Sequence, residues 1–424
     1  MNIFGNDGFR CEFGKNFMTK EFIEKFSNSL CDVLDKEKPI LIARDTRASG
    51  IEIERWIKDV MVEKGFNIHM AQVLPTPGIS NLLEKHHYSL GIMITASHNP
   101  NTDNGIKLFA GNGYKLSSNI EQDIEKKILK NEFQSNHSAN GEIKSLDNPF
   151  GEYINSIVDK DINLKQRILI DCSNGAFSEL SNFYKNKNIE YINNSPNGKN
   201  INLDCGALHP KKLLDEMKNK GFDFGVAFDG DGDRSVFVSK EYGVIESEKL
   251  AVLLFEDSNL DSNKVVSSEI SNLALKKNLQ IINGILIETP VGDRFVVESS
   301  KEMSALFGFE PSGHFYFPDK SKSMDGFVTL LKFLDLVAKY GMEINKKIRK
   351  LAHFNRVQEN IDIKNLQDED ISHLQKQINS FIAEDEKLII RKSMWDPVIR
   401  VYYDYLDINN FSLIKKEINR LLKN

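Results

Sequence analysis

Short apolar runs alternate along this chain with stretches of helical periodicity. Gly91-Ile-Met-Ile-Thr-Ala runs into the turn Ser97-His-Asn-Pro100. An apolar run closed by Asn-Pro predicts a buried strand followed by a loop. Pro39–Ala43, Arg167–Asp171, Phe222–Phe228, Leu388–Arg391 and Val398–Tyr403 read as further strands. Between Thr19 and Asp35, residues Phe22, Ile23, Phe26, Leu30, Val33 and Leu34 share one helical face. Helices are also expected over Ile51–Lys64, Gly78–Lys85, Lys211–Gly221, Glu246–Phe255, Gly326–Lys339 and Ser412–Lys423. Strand alternating with helix indicates an α/β protein. The polar stretch 131–149 reads as a linker. Four units are expected: 1–145, 146–242, 243–347 and a small last one, 348–424.

Composition narrows the class. The 424 residues are 40% apolar and 27% charged, with a net charge of −6. That is an ordinary soluble chain, without the basic footprint of a nucleic-acid binder. No apolar run approaches the ~20 residues of a membrane span. Cys11, Cys31, Cys172 and Cys205 are scattered, with no metal-ligand spacing. Free thiols of this kind suit a reducing cytosol. The opening residues are no signal peptide, so a cytoplasmic protein starting near Met1 is expected.

Two strand ends carry the chemistry. Ser97 and His98 follow one, and Asp229-Gly-Asp-Gly-Asp-Arg234 follows another. In α/β proteins ligands bind at the carboxyl ends of strands. Asp229, Asp231 and Asp233 offer hard oxygen ligands, and Gly230 and Gly232 permit the tight backbone that converges them. Asp-x-Asp-x-Asp also opens a calcium EF-hand, but that loop needs Gly sixth and Glu twelfth, where Arg234 and Lys240 stand. Arg234 can offset carboxylate charge or meet a phosphate bidentately. A nucleophile on one strand end and three carboxylates on another suggest metal-assisted phosphoryl transfer. Each motif has a plainer reading by itself. Ser97 then lies in a polar turn and Lys107 is a solvated lysine. Arg44-Asp-Thr-Arg47 is a surface turn with paired charges, and Phe309–His314 is a β-turn. A Ser97-His98 hydrolase lacks an acid partner and a G-x-S-x-G context.

Taken together, the motifs resemble the α-D-phosphohexomutases, in order from Gly5 to Arg400. Thr95-Ala-Ser-His-Asn-Pro100 is similar to their phosphoserine loop and Asp229–Arg234 to their metal loop. Gly5-Asn-Asp-Gly-Phe-Arg-Cys11 resembles Gly-Thr-Asp-Gly-Ile-Arg-Gly, with Asn6 in place of the threonine and Cys11 of the last glycine. Asp103-Asn-Gly-Ile-Lys107 matches a segment whose lysine sits in the family's site. Glu288–Arg294 resembles Thr-x-Val-Gly-Asp-Arg, and Glu310-Pro-Ser-Gly-His314 the sugar-binding loop. Pro196-Asn-Gly-Lys-Asn-Ile-Asn-Leu-Asp-Cys-Gly-Ala-Leu-His-Pro210 points to the bacterial phosphoglucosamine mutase branch. Arg391-Lys-Ser393 and Arg400 match the phosphate-binding loop, but Met394, Trp395 and Asp396 replace its Gly-Thr-Glu.

The resemblance implies three similar α/β domains and a smaller C-terminal α+β domain around a central cleft. In chain order they carry the phosphoserine, metal, sugar-binding and phosphate-binding loops. It implies Mg²⁺ held by phosphorylated Ser97 with Asp229, Asp231 and Asp233. Lys107, His98, Arg10 and His314 become candidates for proton transfer or charge balance, Lys107 foremost. Glu310, Ser312, Arg234, Arg391, Ser393 and Arg400 would bind substrate. The implied partner is a small sugar phosphate, with glucose- or glucosamine-1,6-bisphosphate as activator and a monomer or homodimer as the assembly. The expected reaction interconverts glucosamine 6-phosphate and glucosamine 1-phosphate. The same chemistry on glucose or mannose phosphates stays open, because the sugar loop addresses hydroxyls these sugars share. A non-catalytic sugar-phosphate binder stays open on account of Met394-Trp395.

Overall fold

A computed structural model describes residues 3–131, 133, 141–258, 262–362, 368–379, 382–383, 385–393, 398–405 and 409–421. It contains four sheets with helices packed on them, the α/β architecture expected. In the first sheet, strands Leu90–Ile94, Ile40–Arg44, Ile68–Val73 and Ile143–Ser145 run parallel in that order. Asp103–Ala110 pairs antiparallel with Leu90–Ile94, and Phe9–Glu12 pairs antiparallel with Asp103–Ala110. Strand Ile143–Ser145 thus lies within the stretch read as a linker.

The second sheet runs Gly243–Ile245, Ser235–Ser239, Phe224–Phe228, Ile168–Asp171, Ile189–Ile192. It takes in Gly243–Ile245, beyond the expected limit at residue 242. The third sheet runs Ile285–Thr289, Lys264–Ser268, Phe307–Phe309, Phe315–Tyr316. The fourth is antiparallel: Asn355–Asp362, Val398–Tyr405, Lys387–Lys392, with helices Asp368–Asn379 and Asn409–Leu421.

Alternation along the strands explains the layering. Ile40 and Ile42 face one core with Ile92, Ile94, Phe26, Ile53 and Ile57. Leu41, Ala43 and Met93 face the other. Strand side chains alternate between faces, so a continuous apolar run is buried on both. The second core continues through Tyr153 and Phe177 to Phe224, Phe237 and Phe333 of helix Gly326–Tyr340. The first three sheets therefore share one continuous core, while the fourth has its own around Ile399, Val401 and Tyr403. No helix among the described residues is long and apolar enough to cross a membrane.

Candidate active site

Four loops converge, each leaving the carboxyl end of a strand. They are Asp45–Arg47, Thr95–Pro100, Asp229–Arg234 and Glu310–His314. Ser97 takes a left-handed backbone, φ +51°, which a non-glycine residue rarely adopts. The strain is held by its surroundings. Ser97 N donates to Thr95 Oγ1 at 2.8 Å, and Thr95 Oγ1 donates to Asp45 Oδ2 at 2.7 Å. Arg47 does the rest. Its guanidinium donates to Asp45 Oδ2 and to the carbonyls of Ser97, Asn99, Pro100 and Asp103. Arg47 is 0% exposed, so its segment is no surface turn. Asn202, from the Pro196–Pro210 segment, donates to the carbonyls of Ser97 and Asn99. Ser97 is thereby aimed at the metal loop, with Oγ 2.6 Å from Asp229 Oδ2.

The metal loop needs its glycines. Gly232 has φ +76°, and a Cβ on Gly230 would come 2.5 Å from the Ser97 carbonyl. Asp229 Oδ1 accepts from the Gly232 and Arg234 amides, and Thr76 Oγ1 donates to Asp231 Oδ2 at 2.6 Å. Carboxylate oxygens of Asp229, Asp231 and Asp233 lie within 4.8 Å of one another, all buried. Asp231 Oδ1 is buried with no hydrogen-bond partner among the described residues. Three hard oxygens and an unmatched buried acceptor fit a divalent cation such as Mg²⁺. Burial, then repulsion from Asp233 and Asp231, pushes Asp229 up to about 7.

The predicted catalytic residues surround this cluster. Lys107 is 2% exposed, and its Nζ lies 2.8 Å from Asp231, 2.6 Å from Asp233 and 3.0 Å from Asp7. Burial alone would depress its pKa, but the three carboxylates raise it well above the ordinary lysine value. Arg10 reaches the site paired with Asp7, on a strand whose Arg10 faces Gly105. His98 Nδ1 lies 3.2 Å from Ser97 Oγ. Burial and the cations Arg234 and Arg10 depress His98 to about 2, so its ring is neutral at physiological pH. His314 shows the opposite balance. Burial and Arg234 lower it, but Asp233 and Glu310 raise it to about 9. Its Nε2 is 3.1 Å from Asp233 and its Nδ1 3.2 Å from Glu310. Arg234 Nε lies 3.0 Å from the same Nε2, and Ser312 Oγ 3.1 Å from Nδ1.

Ser97, His98, Lys107, Arg10, Arg234, the three aspartates, Glu310, Ser312 and His314 are thus brought together. Arg391, Ser393 and Arg400 sit on the fourth sheet instead. Arg391 and Arg400 face each other across paired strands, and Arg400 donates to Ser393 Oγ at 3.4 Å. Met394, Trp395 and Asp396 lie outside the described residues. Sequence reasoning missed Asp7, Asp45, Thr76 and Asn202. Asp7, Asp45 and Asn202 stood inside motifs already singled out. Thr76 is recognisable only by its partner, 155 residues away.

This fold and site define a phosphoryl-transferring α/β enzyme, and comparison with known proteins agrees. The family model for phosphoglucomutase/phosphomannomutase, alpha/beta/alpha domain I, matches residues 1–135, and that for domain III matches 246–354. The phosphoglucosamine mutase of Campylobacter concisus is 34% identical, covering 100% of this chain and 98% of its own. That of Thermotoga maritima is 32% identical, covering 100% and 99%. A phosphoglucomutase/phosphomannomutase family protein from Burkholderia thailandensis superposes with a TM-score of 0.81 at 21% identity, covering 100% and 97%. N-acetylphosphoglucosamine mutase from Aspergillus fumigatus, solved with GlcNAc-6P and magnesium, gives 0.67 at 14% identity, covering 99% and 95%. The chain belongs to the α-D-phosphohexomutase superfamily, on the side of the bacterial phosphoglucosamine mutases, and is an isomerase of the intramolecular phosphotransferase kind.

Proposed function

We propose that this enzyme interconverts glucosamine 6-phosphate and glucosamine 1-phosphate in the cytoplasm, with a phosphoryl group stored on Ser97. The observation that carries the chemistry is the strained Ser97, its Oγ 2.6 Å from the first aspartate of a buried triad. The full-length likeness to phosphoglucosamine mutases carries the choice of sugar.

In the first half-reaction the P–Oγ bond of phosphorylated Ser97 breaks and a bond forms from phosphorus to the O1 hydroxyl of glucosamine 6-phosphate. The departing Ser97 Oγ takes a proton from the Lys107 ammonium, which is restored by the proton the hydroxyl gives up, and the product is the 1,6-bisphosphate. After the bisphosphate turns over in the site, its O6–P bond breaks, the phosphoryl group returns to Ser97 Oγ, and the serine proton passes to O6. Glucosamine 1-phosphate leaves and the phosphoenzyme is restored. A bisphosphate supplied in trace phosphorylates the resting serine, which makes it the activator.

Asp229, Asp231 and Asp233 would hold Mg²⁺, which supplies positive charge to the transferring phosphoryl oxygens. Lys107 is assigned to proton exchange with the substrate hydroxyl: its Nζ, held as an ammonium by Asp231 and Asp233 of the triad whose first member faces Ser97, has a proton to give the departing oxygen and takes the hydroxyl's in return. His98, neutral, fixes the Oγ direction. Arg10 and Arg234 balance charge, and His314 orders Glu310 and Asp233 about itself. Glu310 and Ser312 address sugar hydroxyls. Arg391, Ser393 and Arg400 take the phosphate not being transferred.

Turnover tests this. The enzyme would be given Mg²⁺, a trace of glucose 1,6-bisphosphate, and separately glucosamine, glucose and mannose 6-phosphates. Fastest turnover of glucosamine 6-phosphate is expected, abolished in Ser97→Ala. Preference for another of these sugars, or no turnover by folded and phosphorylated protein, overturns the reading.

A further inference from the structure

The segment Pro290–Arg294 has no part in the chemistry above, yet it lies against it. A hairpin brings its partner there. Strand Asp103–Ala110 turns back at Gly113, φ +84°, with Ala110 N donating to Tyr114 O at 2.8 Å. Lys115 is thereby set opposite Phe109. Phe109 is two residues beyond Lys107, so both lysines share one face of the sheet. The Lys115 ammonium, on a side chain only 14% exposed, pairs with two carboxylates, Asp7 and Asp293. Asp7 in turn pairs with Arg10 and with Lys107. Asp293 follows Gly292, whose amide donates to Glu310 Oε1 at 3.0 Å.

Charges alternate from the metal loop as far as Asp293, next to the Gly292 amide that holds the sugar loop. Asp231 and Asp233 hold Lys107, Lys107 meets Asp7, Asp7 holds Lys115, and Lys115 holds Asp293 beside the Glu310 anchor. Asn6 fastens the same loop from the first sheet's side, donating to Val291 O at 2.9 Å. Buried ion pairs are poor sources of net stability, since desolvation offsets attraction. The two units are in any case joined alongside by Arg294, whose Nη2 donates to both Glu121 carboxylate oxygens at 2.8 Å. Lys115 supplies something that pair does not: a fixed spacing between Glu310 and the Lys107 that pairs with the aspartates of the metal loop.

We propose that Lys115 is a positioning residue for phosphoryl transfer. It locks the Gly292–Asp293 turn, and through it Glu310, to the Asp7–Lys107 pair, so that the sugar hydroxyl stays in register with the phosphoryl group on Ser97. The inference rests on the mutase reading.

Kinetics of Lys115→Met, Lys115→Arg, Glu310→Gln and the Lys115→Met/Glu310→Gln double variant test it, with Glu121→Gln as control. Misplacement of reacting groups by about 1 Å costs on the order of 100-fold in rate. Lys115→Met is expected to lose about 30- to 100-fold in kcat with KM within about threefold. Lys115→Arg, which keeps the cation, recovers at least about tenfold of it. The double variant loses less than the product of the single losses, since both act on one arrangement. Glu121→Gln lowers the melting temperature and leaves kcat in place. Should Lys115→Met fail to fold, Lys115→Met/Asp293→Asn, which also removes the stranded carboxylate, carries the same measurement. A folded Lys115→Met enzyme with wild-type kcat, or losses that multiply, overturns the inference alone. A wild-type enzyme inactive on every sugar phosphate overturns the mutase reading and this inference with it.

Discussion

Arg47 directs its whole guanidinium at one loop and one carboxylate. Four carbonyls between Ser97 and Asp103 accept from it, and Asp45 closes the fifth direction. Five fixed donors suit such a cage, and the three rotating donors of lysine do not. Arg47→Met would leave Asp45 buried with only the Arg47 amide and the Thr95 hydroxyl as donors. Breaking a buried pair in this way costs about 3–5 kcal/mol. We expect a loss of that size in urea denaturation, and loss of phosphate incorporation at Ser97 in whatever folds. An unchanged urea midpoint would refute the bracing role. Arg47 also marks a limit of sequence reading. A charged Asp-Thr-Arg turn is usually solvated, and its burial follows from a loop some fifty residues on. Ser97 and the aspartates were legible because glycines and carboxylates at fixed spacing carry their chemistry locally. Asp7, Thr76 and Lys115 were not, because each acquires its role from a residue distant in the chain.

Helix Gly326–Tyr340 shows the same division at the level of an element. Its apolar spacing and the closing Gly341 place it in the sequence. Its partner does not follow from that pattern: Phe333 packs on Phe224 and Phe237 of the second sheet. Strands Ile143–Ser145 and Ser235–Ser239 were likewise missed, since short strands next to polar turns are defined by pairing rather than periodicity. The helix start carries a measurable charge. Asp325 is fully buried, and its Oδ1 accepts from the Phe327 and Val328 amides and the Tyr153 hydroxyl. Burial outweighs those donors and pushes the carboxyl up to about 6. A carboxyl raised on folding binds its proton more tightly in the folded state. Its contribution is complete below the unfolded value near 3.8 and is lost as pH rises through about 6. That window corresponds to about 3 kcal/mol. Asp325→Asn cannot titrate, so it should gain on the wild type between pH 4 and 6 while trailing it at pH 4. Urea midpoints at pH 4, 5, 6 and 7 read the difference. A gap that stays constant across them would rule out Asp325 as the titrating group.

Across the whole molecule, the first three sheets share a core and the fourth is attached by polar contacts. Asp404 accepts from both Arg356 and the Leu273 amide at the start of helix Leu273–Ile281. Lys387 reaches Glu288 and the Ser271 carbonyl. The fourth sheet also carries a local conflict, with Arg391 and Arg400 directly opposite on antiparallel strands. Like charges so placed are destabilising by roughly 0.2–1 kcal/mol. A divalent sugar phosphate bound between them would turn that conflict into bidentate recognition. Stability and binding then oppose each other at one position, and a single substitution separates them. Without ligand, Arg391→Gln should melt at or slightly above the wild-type temperature, because the facing cation is relieved. With saturating glucosamine 6-phosphate the wild type should rise and the variant rise less. Its KM should increase about tenfold or more, the loss of one charge-assisted contact of roughly 1.5–3 kcal/mol, with kcat changed less. Melting curves with and without the sugar phosphate, alongside kinetics, decide it. A variant that melts lower without ligand and binds as before would show the arginine to be a strut. The opposite pair of shifts would show that the fourth sheet holds its arginines together for the phosphate they share.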